Sequence, residues 1–249
     1  MPRFFINPSD IRDAQVVLTG ENAHHAAYSL RLAPGDRIRV CDGRAVYLCE
    51  LTAFDSETVT ASVLSTSPID SEPPFRAHLY QALPKGDKLD TVIQKAVECG
   101  VFAVTPFESS RCIVRQKPEA EARKTERRAR IAEEAAKQSG RGVIPAVYPT
   151  VSFSAMLDEA AAADLVLFCY EAEGTRSLRD VLETVIPTLP TDRVPRVAIV
   201  IGSEGGFSPE EAAAARERGF AMTGLGPRIL RTETASGFVL ASLVYALEL

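Results

Sequence analysis

Beyond residue 75 the chain alternates between short apolar runs and segments of helical periodicity, a pattern few architectures can satisfy. The runs are Ala77-His-Leu-Tyr-Gln-Ala82, Val101-Phe-Ala-Val-Thr105, Leu165-Val-Leu-Phe-Cys-Tyr170, Val197-Ala-Ile-Val-Ile201 and Phe220-Ala-Met-Thr223. Helical segments fall near 87–99, 122–139, 152–162, 176–183 and 209–218, with a last one near 233–247. Runs this short and apolar leave no polar face for water. They predict an α/β fold with a buried parallel sheet and helices on both faces. In such a sheet the loops at the carboxyl ends of the strands form the natural ligand site.

The first 72 residues follow a different rule. Arg37-Ile-Arg-Val-Cys41, Val46-Tyr-Leu-Cys-Glu-Leu51 and Thr58-Val-Thr-Ala-Ser-Val-Leu64 alternate with near period two, and Asp42-Gly43 marks a tight turn. A helical stretch, Glu21 to Leu32, precedes them and stops at Pro34-Gly35. These features predict a small β-barrel domain over 1–72, a polar, proline-rich linker at Ser65–Pro74, and an α/β domain over 73–249.

Several function classes are disfavoured at this level. No apolar run approaches the roughly 20 residues of a spanning helix, and Met1–Asp10 lacks the apolar core of a secretory signal. The five cysteines stand singly, and none of the three histidines has metal-ligand spacing to a cysteine. A reducing, cytoplasmic setting without structural metal is expected. The net charge of −5 argues against nucleic acid, but it is unevenly distributed. The window Arg111–Arg141 holds ten basic residues (Lys117 among them) against five acidic ones, so it is locally cationic. Such a strip is either a solvated helix face or a phosphate-binding surface.

Two stretches carry the chemistry. Ile201-Gly-Ser-Glu-Gly-Gly-Phe-Ser-Pro-Glu-Glu211 runs from a strand through a glycine turn into a helix, with Ser208 as N-cap, Pro209 at the first position and Glu211 closing a capping box. Its three glycines let a ligand approach the backbone closely. There is no Gly-Lys-Ser/Thr ending, and Glu204 inside the turn would repel phosphate, so a nucleotide-binding hydrolase fits poorly. The second stretch, Leu225-Gly-Pro-Arg-Ile-Leu-Arg-Thr-Glu-Thr-Ala235, joins a strand to the terminal helix, with Thr232 or Thr234 available as cap and Glu233 suited to the helix N-terminus. Two such loops near the end of one sheet are expected to converge on a single pocket.

These residues resemble the RsmE family of methyltransferases, which act on ring nitrogen 3 of a uridine in small-subunit (16S) ribosomal RNA. The resemblance extends through Arg3-Phe-Phe, His25 to Arg31, Pro84-Lys-Gly-Asp-Lys-Leu, Gln94-Lys-Ala-Val-Glu-Cys-Gly100, Ser110-Arg-Cys112, Gln138-Ser-Gly-Arg141 and Ile144-Pro145. One departure is Ser203, where the family usually has proline, and a less rigid turn is expected there. The resemblance implies a PUA-like amino-terminal domain and a SPOUT-type domain whose last segments form a trefoil knot. It also implies S-adenosyl-L-methionine as cofactor and work as a homodimer. A non-enzymatic RNA-binding factor with a vestigial pocket is a rival reading, disfavoured because Glu204, Arg231 and both glycine loops are present.

On this resemblance the cofactor is expected among Leu167, Phe168 and Tyr170, then Ile201, Gly202, Glu204, Gly205 and Gly206, then Leu225, Gly226, Ile229, Leu230, Thr234 and Ala235. Arg231 is expected to face the uracil oxygens or a neighbouring phosphate; arginine stays protonated and cannot be the base. Glu204 or Glu233 is expected to accept the proton, directly or through water. RNA contacts are expected from Lys85, Lys88, Lys95, Arg111, Arg115, Arg127, Arg128, Lys137 and Arg141, with Arg3 and Arg31 on the first domain. His25 is read as a packing residue and the cysteines as small buried hydrophobes.

Overall fold

The computed structural model describes every residue except Lys117 and Glu173, with Pro118 described by its backbone alone. Lys117 of the basic window therefore lies outside the described residues. Contacts divide the chain into two units, Met1–Glu72 with Ala136–Ile144, and Pro73–Ala135 with Pro145–Leu249.

The first unit is a curled six-stranded sheet in the order β1-β4-β5-β6-β3-β2. Its strands are β1 (Arg3–Phe5), β2 (Ile11–Arg12), β3 (Gln15–Thr19), β4 (Arg37–Cys41), β5 (Ala45–Phe54) and β6 (Thr58–Pro68). The alternating residues Val16, Leu18, Ile38, Val40, Leu51, Val59 and Ala61 point to one side and form the core with Phe4. Among the described residues no ladder joins β1 to β2, so the curled sheet has two edges there. Helix α1 (Gly20–His24) continues as a π turn over His25–Ser29. His25 meets Phe4 edge-on at 6.1 Å between ring centroids, the packing role expected of it.

The polar stretch after Leu64 is less of a linker than its composition predicts. β6 runs on to Pro68 because β5 is long enough to pair with it throughout, through two register shifts. Glu72 then accepts hydrogen bonds from Arg141 Nε, at 3.0 Å, and from Gly142 N, at 2.9 Å. The returning segment is held from the other side by Arg3, which donates to the carbonyls of Gly140 and Arg141.

The second unit is built on a parallel sheet in the order β10-β8-β7-β13-β11-β14-β12, with β9 also on β8, eight strands among the described residues. Its strands are β7 (Arg76–Ala82), β8 (Ala103–Glu108), β9 (Ala146–Val147), β10 (Val151–Ser152), β11 (Leu165–Cys169), β12 (Arg176–Ser177), β13 (Arg196–Ile201) and β14 (Ala221–Gly224). The helices are α2 (Lys88–Glu98), α3 (Pro118–Ser139), α4 (Phe153–Ala160), α5 (Leu178–Val185), α6 (Pro209–Glu217) and α7 (Thr232–Leu247). All five predicted strands and six predicted helices are present, with ends shifted by a few residues. None of these helices is long and apolar enough to cross a membrane among the described residues.

β8 continues past Thr105 through Pro106, where a missing N–H would ordinarily break a ladder. Phe107 turns its carbonyl toward β7, accepting from Leu83 N at 2.9 Å. Successive residues alternate in direction, so Pro106 faces the opposite side. There β9 pairs with Ala103 and Val104, and β10 with Phe107 and Glu108. The proline sits at the seam between them.

The 186–195 segment, unassigned in the sequence beyond a surface loop, is pinned by a carboxylate. Asp164 accepts from Arg193 Nη1 at 2.8 Å and from Arg196 N at 2.8 Å. The Arg193 hydrogen bond leads in lowering the Asp164 carboxyl to about 2, against an opposing push from burial and with help from the Arg196 N–H. A carboxyl with its folded value below its unfolded one stabilises the fold fully above about pH 4 and loses that contribution as pH falls through about 2. Asp164→Asn is therefore expected to lower the urea midpoint at pH 7, and its deficit against wild type should close between about pH 4 and 2. A deficit independent of pH over that range would contradict the ion-pair account.

Candidate active site

The carboxyl ends of β11, β13 and β14 lie side by side, and the loops leaving them enclose a cleft of about 590 Å³. The first loop leaves β13 at Ile201. Gly206 N donates to Ser203 O at 2.9 Å, and Gly206 has φ +64°, a left-handed value that favours glycine. A Cβ on Gly202 would lie 3.1 Å from Gly206 Cα and 3.2 Å from the Phe207 ring. The turn thus closes on itself too tightly for a side chain at Gly202.

Two anchors fix this turn. Phe207 is buried, with its ring 4.3 Å from that of Phe168 and stacked on Phe107 at 6.3 Å. The capping box forms as expected, Ser208 Oγ accepting from Glu211 N and Glu211 Oε2 accepting from Ser208 N. The second carboxylate oxygen of Glu211 accepts from Ser110 N at 2.6 Å, tying the loop after β8 to the glycine turn. Arg111 on that loop donates to Gly205 O at 3.0 Å.

The second loop runs from Gly224 to Arg231 and supplies the facing wall. Neither threonine caps α7; Arg231 occupies the N-cap, and its carbonyl accepts from Thr234 N and Ala235 N. Thr232 is unavailable because its hydroxyl donates to Gly202 O across the cleft floor at 2.7 Å. Cys169 at the end of β11, with Tyr170 and Glu171 just after it, closes the third side.

Of the residues expected to hold a cofactor, Tyr170, Ile201, Gly202, Glu204, Gly205, Gly206, Leu225, Ile229, Leu230 and Ala235 line this cleft, as does Arg231. Leu167 and Phe168 are fully buried in β11 behind it. Gly226, Glu233 and Thr234 belong to the second loop and the start of α7 but are not part of the lining. Cys169 and Ser203, inside the runs 167–170 and 202–206 expected to cradle the cofactor, also line the cleft; sequence reasoning missed Glu171, Phe207, Thr223 and Thr232, and it assigned Lys88 and Arg111 to RNA alone. All but Lys88 and Arg111 sit within two residues of an expected lining residue. Those two come from helix and loop segments far away in sequence, and only the fold brings them in.

Lys88 sets the electrostatics. Its Nζ lies 2.7 Å from Glu204 Oε1 and 4.0 Å from Glu233 Oε2. Burial acts to raise the Glu204 carboxyl. The Lys88 ammonium and the N–H groups of Glu204 and Lys85 outweigh it and hold that carboxyl below its ordinary value. Glu204 is thus an ionised, neutralised carboxylate and a weak proton acceptor. Glu233 keeps a buried oxygen, Oε2, without a hydrogen-bond partner among the described residues.

The expected phosphate-binding strip is only partly available. Arg128 is buried, its guanidinium 3.9 Å from the Glu121 carboxylate, and burial lowers its pKa. Arg141 is likewise buried and paired with Glu72, and Arg3 is engaged with backbone carbonyls. Burial of Arg128 and Arg141, and the engagement of half-buried Arg3 with backbone carbonyls, leave these three less face for phosphate than the exposed members of the strip. Arg127 pairs with Asp90, Lys95 with Glu98 and Arg115 with Glu108, all on exposed surface. Lys85 and Arg31 are exposed, and Lys137 is half-buried in the last turn of α3.

A strand-end cleft of this kind with a basic surround defines a ligand-binding α/β enzyme, and comparison with known proteins narrows the class. A family profile described as an RNA methyltransferase domain matches residues 71–244, and one described as an RNA methyltransferase PUA domain matches 18–64. The Bacillus subtilis protein named ribosomal RNA small subunit methyltransferase E is 34% identical, the alignment spanning 100% of this chain and 98% of that one. A crystal structure of the Neisseria gonorrhoeae protein of the same name, bound to S-adenosyl methionine, has a TM-score of 0.82 at 30% identity, covering 98% of this chain and 97% of the other. A putative methyltransferase from Legionella pneumophila, in complex with the same cofactor, has a TM-score of 0.83 at 31% identity, with 98% and 97% covered. The chain belongs to the ribosomal RNA small subunit methyltransferase E family.

The packing under the first loop is testable without any ligand. Phe207→Ala removes a fully enclosed ring and is expected to lower stability by about 3–5 kcal/mol, read from urea unfolding midpoints. A loss below about 1 kcal/mol would mean the ring does not seat the turn.

Proposed function

We propose that this protein transfers the methyl group of S-adenosyl-L-methionine to ring nitrogen 3 of a uridine in 16S ribosomal RNA, in the cytoplasm and as a homodimer. The observation that carries this reading is the convergence of the two glycine-bearing loops on one cleft with Arg231 at its rim. The cleft fits the cofactor. Its volume lies in the range of small-molecule sites, and the glycine turn offers backbone where a side chain would clash. Apolar Ile201, Leu225 and Leu230 can cover a purine, and Lys88, the lysine in its lining, is neutralised by Glu204. A sulfonium cation is therefore not opposed by a free ammonium.

When bound, the cofactor supplies an electrophilic methyl group on a sulfonium. The chain's own residues must hold the uracil ring in line with it and manage one proton and one developing charge. The neutral imide nitrogen is a poor nucleophile, so its proton leaves. Glu233, whose Oε2 lies 4.0 Å from Lys88 Nζ and accepts no hydrogen bond among the described residues, receives it through water, and Glu204 stays in its closer pair with Lys88. The negative charge that spreads to the uracil oxygens is met by the Arg231 guanidinium, at the positive end of the α7 dipole. Exposed Lys85, Lys95, Arg111, Arg115 and Arg127 of the same unit, with Arg31 and Lys137 of the other, attract RNA phosphates.

Support for the dimer comes from α7. Val239, Leu240 and Leu243 are buried, yet Phe238 and Tyr245 on the same helix and Leu249 just beyond it are exposed, as is Ile229 before it. A helix apolar all round is normally covered on every side, and a second copy of the chain is the partner that symmetry makes available. The last segments are taken to form the trefoil knot of the SPOUT fold.

Calorimetry with S-adenosyl-L-methionine, followed by tritium transfer to 16S RNA or assembled small subunits, tests the reading. Mass spectrometry of the labelled nucleoside should identify 3-methyluridine. Arg231→Ala is expected to lower turnover by at least about 100-fold while leaving cofactor affinity within about tenfold. Retained turnover would remove Arg231 from its role. RNA affinity should fall steeply between low and moderate salt, and a flat response would count against the cationic surface. Tyr245→Glu should shift the protein toward monomer in sedimentation equilibrium, whereas an unchanged mass would exclude α7 as the interface.

A further inference from the structure

Behind the cleft lies a polar side chain that the reaction as described does not use. Gln81 is on β7, in register with Ile201 of β13, and is fully buried. Its Nε2 stands 2.8 Å from Thr232 Oγ1, 3.0 Å from Ala82 O and 3.3 Å from Gly202 O. Two of these three neighbours are carbonyls, which only accept, so it is the amide nitrogen that faces them. Thr232 Oγ1 accepts from Gln81 and donates its own O–H to Gly202 O at 2.7 Å. Gly202 opens the glycine turn, and Thr232 opens α7 next to Arg231. A closed ring of hydrogen bonds therefore joins the two walls of the cleft through a strand that does not line it.

The other amide atom makes this arrangement informative. Gln81 Oε1 is buried with no hydrogen-bond partner among the described residues. An apolar side chain of the same length would fill the space without an unpaired acceptor, so packing alone does not favour glutamine here. What the amide adds is the link between Gly202 and Thr232.

We infer that Gln81 is a positioning residue that fixes the spacing between the glycine turn and Arg231. The inference rests on the methyltransferase reading above, in which the first wall holds the methyl donor and the second faces the uracil. Small errors in the separation of two reacting partners act on turnover more than on the affinity of either.

The test uses the full-length protein and three variants: Gln81→Met, which keeps length and removes both donors; Thr232→Val, which keeps shape and removes the hydroxyl; and Thr232→Ser, which restores it. Gln81→Met and Thr232→Val are each expected to lower kcat at saturating cofactor by about 10–100-fold. KM for RNA should stay within about threefold, and the melting temperature of Gln81→Met should not fall, because the orphaned acceptor goes with the donors. Thr232→Ser should recover turnover to within about threefold of wild type, and Gln81→Met combined with Thr232→Val should be no worse than the worse single variant. Turnover within about threefold of wild type in folded Gln81→Met or Thr232→Val would overturn the inference, as would losses that multiply in the double variant. If Gln81→Met does not fold, the contrast between Thr232→Val and Thr232→Ser decides. Unaffected variants of an active wild type sink this inference alone; a wild type that neither binds the cofactor nor methylates RNA sinks the enzymatic reading and this with it.

Discussion

The architecture of the second unit turns on β13. It is paired in parallel with β7 on one side and β11 on the other, and from Val197 to Ile201 every residue is buried. A strand enclosed on both faces and both edges can present chemistry only at its end. The chain leaves that end through Gly202, where a Cβ would strike the returning turn, and is held by Phe207 seated against Phe168 of β11 and Phe107 of β8. The site's first wall is thus an extension of the core, and its geometry is set by packing before any ligand arrives.

Charge in the cleft is arranged so that each group has one task. Lys88 and Glu204 neutralise each other at 2.7 Å, which leaves the turn close to neutral while the backbone amides remain directed by the fold. Arg231, at the N-cap of α7, adds a permanent cation on the opposite wall. In the proposed reaction, a cationic methyl donor and a developing uracil anion make opposite demands on fixed positive charge. Placing the neutralised pair on the first loop and the free guanidinium on the second keeps these two charge environments apart.

Much of this was legible in the sequence because the signals were local. Short apolar runs located β7, β11, β13 and β14; Ser208-Pro-Glu-Glu211 located the start of α6; and glycines placed next to strand ends pointed to the cleft. What was not legible depended on distant partners. Arg128 and Arg141 look like solvated members of a basic run, and only folding sets them against Glu121 and Glu72. Thr232 reads as a helix cap, and only the approach of Gly202 diverts its hydroxyl. The proline-rich stretch after Leu64 reads as a linker, since composition does not reveal that β5 is long enough to pair with it.

Ser203 shows how a local departure is absorbed. A proline there would fix φ and stiffen the turn through its ring. In this chain Ser203 is nonetheless buried, with its carbonyl taken by Gly206 N, while Arg111 holds Gly205 O and Phe207 anchors the exit. Three separate contacts, from the loop after β8, from β11 and from the turn itself, restrict the backbone around the position whose φ the ring would have fixed. Rigidity at this turn is therefore a property of what surrounds it. The substitution of one residue inside it leaves the cleft's first wall in place, provided the contacts from outside remain.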